Sequence, residues 1–511
     1  MFSIFEKNKI YYISMKSKQT ALIILDGWGH REDAEHNAVA QARTPYFDSI
    51  WNTYSHTLLN AGEGYVGLPE GQVGNSEIGH TTIGAGTIID TDLVRIAKAI
   101  TDESFHSNSA FLNLCEDVKK NDSALHVMGL IGIGGVHAHD DHLYAFLKLA
   151  KDQGVKKCYI HAFTDGRDSG PYDAVESLTN LQKICDELSF GEIASVSGRF
   201  WAMDRDNNWD RMQKFNDTVF ECKNNLCQTA PAEELKRQYA EGKSDEHIEP
   251  FTLIEVPLNK NDGVFVFNFR ADRARMITQV LCDYKKTLNL HIVTLAEYQK
   301  DFDVVVAFPP RTIETTLAQE VSKNGLKQAH IAETEKFPHA TYFLNGGKEE
   351  PHDGEEHVML ASRKDVQTHD EAPEMRAEAI ADEAITRIES GVEFIFINFA
   401  NPDMVGHTAN VSAIVRAVEF VDIQLKRVCD ALHARGGHAV VTADHGNAEV
   451  NINPLTGDKH TAHTLNKVPC IITNTQETIK VENGSLQDLA PTVLKILELK
   501  KPSAMTGESL I

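Results

Sequence analysis

Short apolar runs alternate with helical patterns along almost the whole chain, and this alternation does most to narrow the folds open to it. The runs are ALIIL (21–25), ALHVMGLI (124–131), KCYIHAF (157–163), VFVFNF (264–269), HIVTLAEY (291–298), EFIFINF (393–399) and HAVVTA (438–443). Between them lie stretches such as DHLYAFLKLAKDQG (141–154), RAEAIADEAITRIES (376–390) and a long pattern over 410–437 that closes on Gly-Gly, a helix stop. Buried strands separated by helices predict an α/β architecture. The 511 residues are enough for about two to four domains. FPPR (308–311) interrupts regular structure and marks one boundary, and a second is expected after Asp90.

Composition excludes several classes. A formal net charge of −24 argues against a nucleic-acid scaffold, because phosphate backbones demand a basic face. An anionic small substrate needs only local islands of arginine and lysine. The eight cysteines form no CxxC pair, so neither a zinc knuckle nor a thioredoxin-like centre is expected, and buried free thiols are the reading. No apolar run approaches the roughly 18 residues of a membrane span. The leading segment has no compact apolar core ending in small residues, so it does not read as a secretory signal, and Met15 serves equally well as a start. The cytosol is the expected compartment, with no membrane or nucleic-acid partner.

Three of the strands run directly into metal-ligand residue types. ALIILDGWG delivers Asp26, EFIFINFANPDMVGH delivers Asp403 and His407, and HAVVTADHGN delivers Asp444 and His445. Ligand sites of open parallel sheets form at the carboxyl ends of strands, so these loops can converge on one edge. Asp403 and His407 are i and i+4, which places them on one face of a helical turn. His460 and His463 follow in KHTAHT. A single strand-end aspartate more often caps a helix or loop. Mixed Asp and His after three strands are not explained by capping, and they suffice for two divalent ions. Such O/N donors suit manganese, zinc or magnesium better than copper or an iron–sulfur cluster. Two such ions can clamp the attacking and leaving oxygens of a phosphoryl displacement.

Ser76, in GQVGNSEIGH (71–80), then has a candidate role. Beside such ions its hydroxyl would become a competent nucleophile. If SEIGHTT opens a helix, its free N–H groups favour a phosphate. A helix-capping role is compatible with this. The middle of the chain supplies Arg167 with Asp168 in TDGRD, Arg199 and Arg205 in SGRFWAMDRD, and Arg270 and Arg273 in FNFRADR. Any one of these is more often a surface ion pair. As a set in strand-end loops they suit a substrate bearing phosphate and carboxylate. Arg270 and Arg273, at i and i+3, are expected to share a helical face. GIGGVHAHDDH adds His137, His139 and His142.

In order, LDGWG, GQVGNSEIGH, GGVHAH, TDGRD, FNFRADR, NPDMVGHT, VTADHGNAE and HTAHT resemble the cofactor-independent (2,3-bisphosphoglycerate-independent) phosphoglycerate mutases, from about Thr20 to the end. Two loops depart from that family's pattern. The chain reads GLIGIGGVH where an aspartate usually precedes GGVH, and HNA (36–38) where the family has Gly-Asn-Ala.

The resemblance implies an alkaline-phosphatase-like α/β sandwich formed by residues 21–90 and 311–511. A second α/β domain, 91–310, would be inserted into it as the substrate-binding domain. Residues 1–20 would be an extension without a role. The resemblance places Asp26, Ser76, Asp444 and His445 around one metal, and Asp403, His407 and His463 around the other. It places His137, Arg167, Asp168, Arg199, Arg205, Arg270 and Arg273 on the substrate, together with Lys336 of AETEKFPH, which spacing alone does not single out. The implied activity is reversible interconversion of 3- and 2-phosphoglycerate through phosphoserine at Ser76, in a cytoplasmic monomer. It would use two divalent ions, manganese first with magnesium, cobalt or zinc as alternatives, and no 2,3-bisphosphoglycerate. A phosphatase or another phosphomutase of the same superfamily is the alternative. An inserted arginine-bearing region argues against a hydrolase, which has no need to retain the dephosphorylated acceptor.

Overall fold

The computed structural model describes residues 19–511 except 224–225, 454, 476 and 482. Residues 1–18, with Met15, therefore lie outside the described residues, whereas Gln19 and Thr20, the end of the expected extension, belong to the fold: Thr20 opens β1 and Gln19 donates to Ile388 O and Val392 O. The chain folds as two compact units. One comprises the residues up to Asp90 together with Ile313–Ile511, and the other is Thr91–Thr312.

Strands β1 (Thr20–Leu25) and β2 (Ser55–Leu59) open the first unit. The second contributes β3 (Leu125–Leu130), β4 (Cys158–Thr164), β5 (Glu192–Gly198), β6 (Phe251–Thr252), β7 (Gly263–Val266), β8 (His291–Ala296) and β9 (Val305–Phe308). The first then resumes with β10 (Gln328–Glu333), β11 (Glu355–Leu360), β12 (Phe394–Phe399), β13 (His438–Thr442) and β14 (Val468–Ile472). Each unit is built on one seven-stranded sheet, in the orders β11-β10-β12-β1-β13-β14-β2 and β6-β5-β4-β3-β7-β8-β9. Pairing is parallel except where β14 meets β13 and β2, and where β6 meets β5.

The apolar runs explain the layering. Every residue of β1 and of β12 is buried, as befits strands covered by helices on both faces. Each unit has its own apolar core, one around β1, β12, β13 and the helix Val411–His433, the other around β3, β4, β7 and the helix Asp140–Asp152. Parallel pairing of β1 with β12 and β13 in register brings Leu25 level with Phe399. The residues that follow these strands, Asp26, Asn401–Asp403 and Asp444, thereby emerge from the same edge. Gly27 makes the exit possible: its φ is +74°, and a Cβ there would lie 2.7 Å from the Asp403 backbone.

Among the described residues no helix is long and apolar enough to cross a membrane. All eight cysteines are free thiols, six buried and two, Cys222 and Cys227, half-buried. Arg270 and Arg273 do not share a helix. They lie in the turn before the helix Arg275–Leu288, where Ala274 N–H bonds Ala271 O.

Candidate metal centre and guanidinium cluster

In the first unit the three strand ends converge. Asp26, Asp444 and His445 form one group whose ligand atoms all lie within 4.8 Å of one another, and Asp403, His445 and His463 form another. Asp403 lies in the first turn of the short helix Asn401–Gly406 and His407 follows that helix, so the turn aims His407 Nε2 back to 3.2 Å from Asp403 Oδ1. His463 Nε2 reaches the same oxygen at 3.3 Å. The His445 ring stacks on that of His463 with centroids 3.8 Å apart. His460 enters neither group.

Ser76 is the first residue of the helix Ser76–Ala85, whose N-cap is Asn75, its side chain accepting from Ile78 N–H. Capping therefore falls to Asn75, and the Ser76 hydroxyl is left to face the strand ends. Its Oγ lies 3.0 Å from His445 Nε2 and 2.6 Å from Lys336 Nζ. Lys336 is buried, and its ammonium also donates to Asp26 Oδ1 at 2.7 Å and Asp403 Oδ2 at 2.6 Å. A cleft of about 550 Å³ opens here, lined by Ser76, Lys336, His339, Asp403, His407 and His463 among others.

The electrostatics are those of a cation site. Three buried carboxylates share one lysine. Burial and the Asp444 charge push the Asp26 carboxyl above its usual range, with Lys336 opposing. Burial also acts upward on Asp403 and Asp444. On Asp403 the charge of Lys336 and the two histidines outweigh it, on Asp444 His445 and His80, and both acids are held well below the usual range. For His407, the hydrogen bond to Asp403 raises the imidazole pKa. For His463, burial lowers it but Asp403 prevails and the net is upward.

The donor set fits a divalent ion on a further observation. His407 Nδ1 bonds Thr461 O at 2.7 Å and His463 Nδ1 bonds Gly74 O at 2.8 Å. With the proton on Nδ1, each ring turns its Nε2 lone pair toward a carboxylate. His463 Nε2 and Asp444 Oδ2 are buried with no hydrogen-bond partner. The positive charge needed between each ring and its carboxylate is a proton on Nε2, as the raised imidazole pKa values reflect, or a divalent cation in its place.

Neighbouring side chains fix these groups. Asn398 Nδ2 donates to Asp26 Oδ2 at 2.7 Å, and His80 Nδ1 lies 3.4 Å from Asp444 Oδ2. Asn447 Nδ2 donates to Asp403 Oδ1 at 2.7 Å. Fully buried Glu449 accepts from Asn447 N–H, Thr464 and Asn466, tying together the loop that carries His445 and His463.

The second unit gathers groups of the opposite kind. Arg199, almost wholly buried, donates from Nη1 to Asp165 and Asp168 and from Nη2 to His137 Nε2 at 2.9 Å. Asp272 faces His137, Arg205 and Arg270 at 3.6, 3.3 and 3.2 Å. Arg273 is buried and donates to Met203 O. Burial lowers its pKa first, followed by the like charges of Arg199, Arg205 and Arg167. Arg167 is half-exposed and 3.5 Å from Glu246. Burial and then the Arg199 charge push the His137 pKa down to about 4, so the ring is neutral at pH 7.

Comparison with known proteins decides the family. A model described as the Metalloenzyme superfamily matches residues 18–501. The 2,3-bisphosphoglycerate-independent phosphoglycerate mutase of Parasynechococcus marenigrum (strain WH8102) is 44% identical, covering 96% of this chain and 93% of its own. That of Clostridioides difficile (strain 630) is also 44% identical, covering 97% of this chain and 100% of its own. The chain belongs to the 2,3-bisphosphoglycerate-independent phosphoglycerate mutases. Among solved structures, Leishmania mexicana phosphoglycerate mutase at low cobalt concentration is 26% identical with a TM-score of 0.59, covering 98% of both chains. As a member of a metalloenzyme superfamily this mutase-family protein uses divalent metal.

Sequence reasoning missed several groups in this mutase-family chain. Asp165 and Asp272 complete the guanidinium cluster, yet only Asp168 stood out. Asp165 follows β4 directly, the same strand-end signal that revealed Asp26. Glu449 and Asn447 sit inside ADHGNAE and read as loop polarity. His80, Asn398 and His339 gave no signal, because nothing in spacing brings them to the strand ends.

Proposed function

We propose that this protein interconverts 3-phosphoglycerate and 2-phosphoglycerate by way of a phosphoserine at Ser76, without 2,3-bisphosphoglycerate. The observation that carries the reading is the position of Ser76 Oγ. It lies at a helix N-terminus, 2.6 Å from a buried ammonium and 3.0 Å from His445, between two metal-ligand groups. Asp26, Ser76, Asp444 and His445 would hold one divalent ion and Asp403, His407 and His463 the other, with manganese our first choice for this O/N donor set. When bound, the ions supply charge neutralisation and lower the proton affinity of the serine hydroxyl.

The chain's own groups do the rest. Ser76 Oγ gives up its proton and forms a bond to the substrate phosphorus as the bond from phosphorus to the substrate oxygen breaks, and the departing oxygen takes up a proton to leave glycerate. Lys336 Nζ, already bonded to Oγ, stabilises charge developing on the attacking and phosphoryl oxygens. The guanidinium cluster of Arg199, Arg205, Arg270, Arg273 and Arg167, with His137 and Asp168, retains glycerate by its carboxylate. The other glycerate hydroxyl then takes the phosphoryl group and Ser76 recovers its proton, so atoms and protons balance. No bisphosphate donor is needed, because the serine itself carries the group. Retention of glycerate keeps the acceptor ahead of water through a high effective concentration.

We further read the unit Thr91–Thr312 as the substrate-binding domain, and the protein as a cytoplasmic monomer. Mass spectrometry of protein quenched during turnover tests the mechanism. One added phosphoryl group on the peptide containing Ser76 is expected, and its absence from protein that is turning over would refute the serine intermediate.

A further inference from the structure

A second set of metal-ligand side chains lies away from the strand-end centre, on the β10–β11 side of the first sheet. Parallel register puts Gln328 opposite Glu355 and His330 opposite His357, so all four share one face of two adjacent strands. β11 is the sheet edge. His357 Nε2 lies 2.6 Å from Glu355 Oε1 and His330 Nδ1 lies 3.4 Å from the same oxygen. His330, Glu355 and His357 offer ligand atoms within 4.8 Å of one another. The side chains of His330 and Glu355 are fully buried and that of His357 is 14% exposed.

Two orphaned polar atoms accompany the cluster. Asn345 is 4% exposed and donates from Nδ2 to Glu355 Oε1 at 2.7 Å, while its Oδ1 has no partner. His352 contributes its backbone N–H to Glu355 Oε2 at 2.7 Å, and its ring Nε2 is buried without a partner. Burial acts to raise the Glu355 pKa, but the bond from His357 and the His330 charge outweigh it, bringing it down to about 2.

We propose that His330, Glu355 and His357 form a third divalent-metal site with a preference for zinc, with His352 beside it as a positioning residue. Two imidazoles and one carboxylate are an N₂O donor set of the kind zinc takes, with a further position left for water. Exposed Lys348, now 3.1 Å from His352 Nδ1, can withdraw to solvent. His330 Nδ1 lies 2.8 Å from the Ala340 carbonyl and its Nε2 3.2 Å from Gln328 Oε1, so an ion would have to displace one of these two contacts. The ion would tie the edge strand β11 to β10 and to the loop holding Asn345 and His352. It would also close the sheet edge against pairing. Without metal the same residues form a proton-sharing His–Glu–His chain, and the test separates the two.

The experiment uses the full chain, stripped with chelator, equilibrated with zinc, desalted and analysed for metal content. Wild type is expected to carry one more zinc per chain than His357→Asn, whatever the strand-end centre holds. Both proteins should show equal mutase activity after manganese is restored. His352→Asn lies outside any strand and keeps the test available should the strand variant fail to fold. It is expected to weaken the additional zinc by about tenfold or more. Equal zinc content in wild type and His357→Asn, or unaltered zinc affinity in His352→Asn, would overturn the site. Loss of the strand-end metals alone would touch only the proposed mutase reaction.

Discussion

The two units are built alike, but the polar clusters they carry differ in sign. Each has a mostly parallel seven-stranded sheet, and in each the polar cluster follows strand ends. In the first the cluster is three carboxylates and three imidazoles sharing one buried lysine. In the second it is guanidinium groups held by Asp165, Asp168 and Asp272. The architecture therefore sets where a site forms and not what it binds. One cluster suits cations and the other suits anions.

Replacing the nucleophile should break the comparison hardest. Ser76→Ala is expected to lower kcat by at least about 10³-fold, as loss of a covalent nucleophile does. Affinity of the second unit's cluster for glycerate, read by calorimetry, should stay unchanged. Arg199→Lys should cost about 10²-fold in kcat/KM, because one ammonium cannot replace a fork that bonds two carboxylates and an imidazole. Metal content in that variant should equal wild type.

Lys336→Met sharpens the comparison through stability. In metal-free protein it should destabilise by about 3–5 kcal/mol, since it leaves buried carboxylates uncompensated. Restoring divalent metal should recover most of the loss, as followed by denaturant titration.

The smallest effect is the pH dependence of the second unit. His137 has its pKa lowered to about 4 from 6.5. Between those values the unfolded chain binds more protons than the folded one, so stability rises with pH across that window. The contribution is whole above pH 6.5 and is lost as pH falls toward 4. His137→Gln should flatten that part of the profile in chemical denaturation at pH 5 and pH 7.

Much of the first centre was legible because an apolar strand followed by Asp is a local pattern. Asp26, Asp403 with His407, and Asp444 with His445 each announce themselves within a dozen residues. His463 stood out as one of a histidine pair in KHTAHT, but its choice over His460 and the role of Lys336 came only through family resemblance, since a single lysine in a polar loop carries no spacing signal. Strands were read by the same local logic, and its failures are physical. β14 contains Pro469, a residue that counts against an internal strand. β10 and β11 carry His330, Glu355 and His357 where apolar residues would be expected, so their alternation was obscured. The helix expected for Arg270 and Arg273 failed because the chain first makes a turn at Ala271–Ala274, and the helix starts only at Arg275.

The most direct test of the central claim follows 2-phosphoglycerate and inorganic phosphate together in chelator-stripped protein given 3-phosphoglycerate and no 2,3-bisphosphoglycerate. Restoring manganese or magnesium should produce 2-phosphoglycerate with little free phosphate. Free phosphate without the isomer would contradict the account, because the same serine would then be serving hydrolysis and the guanidinium cluster would not be retaining an acceptor.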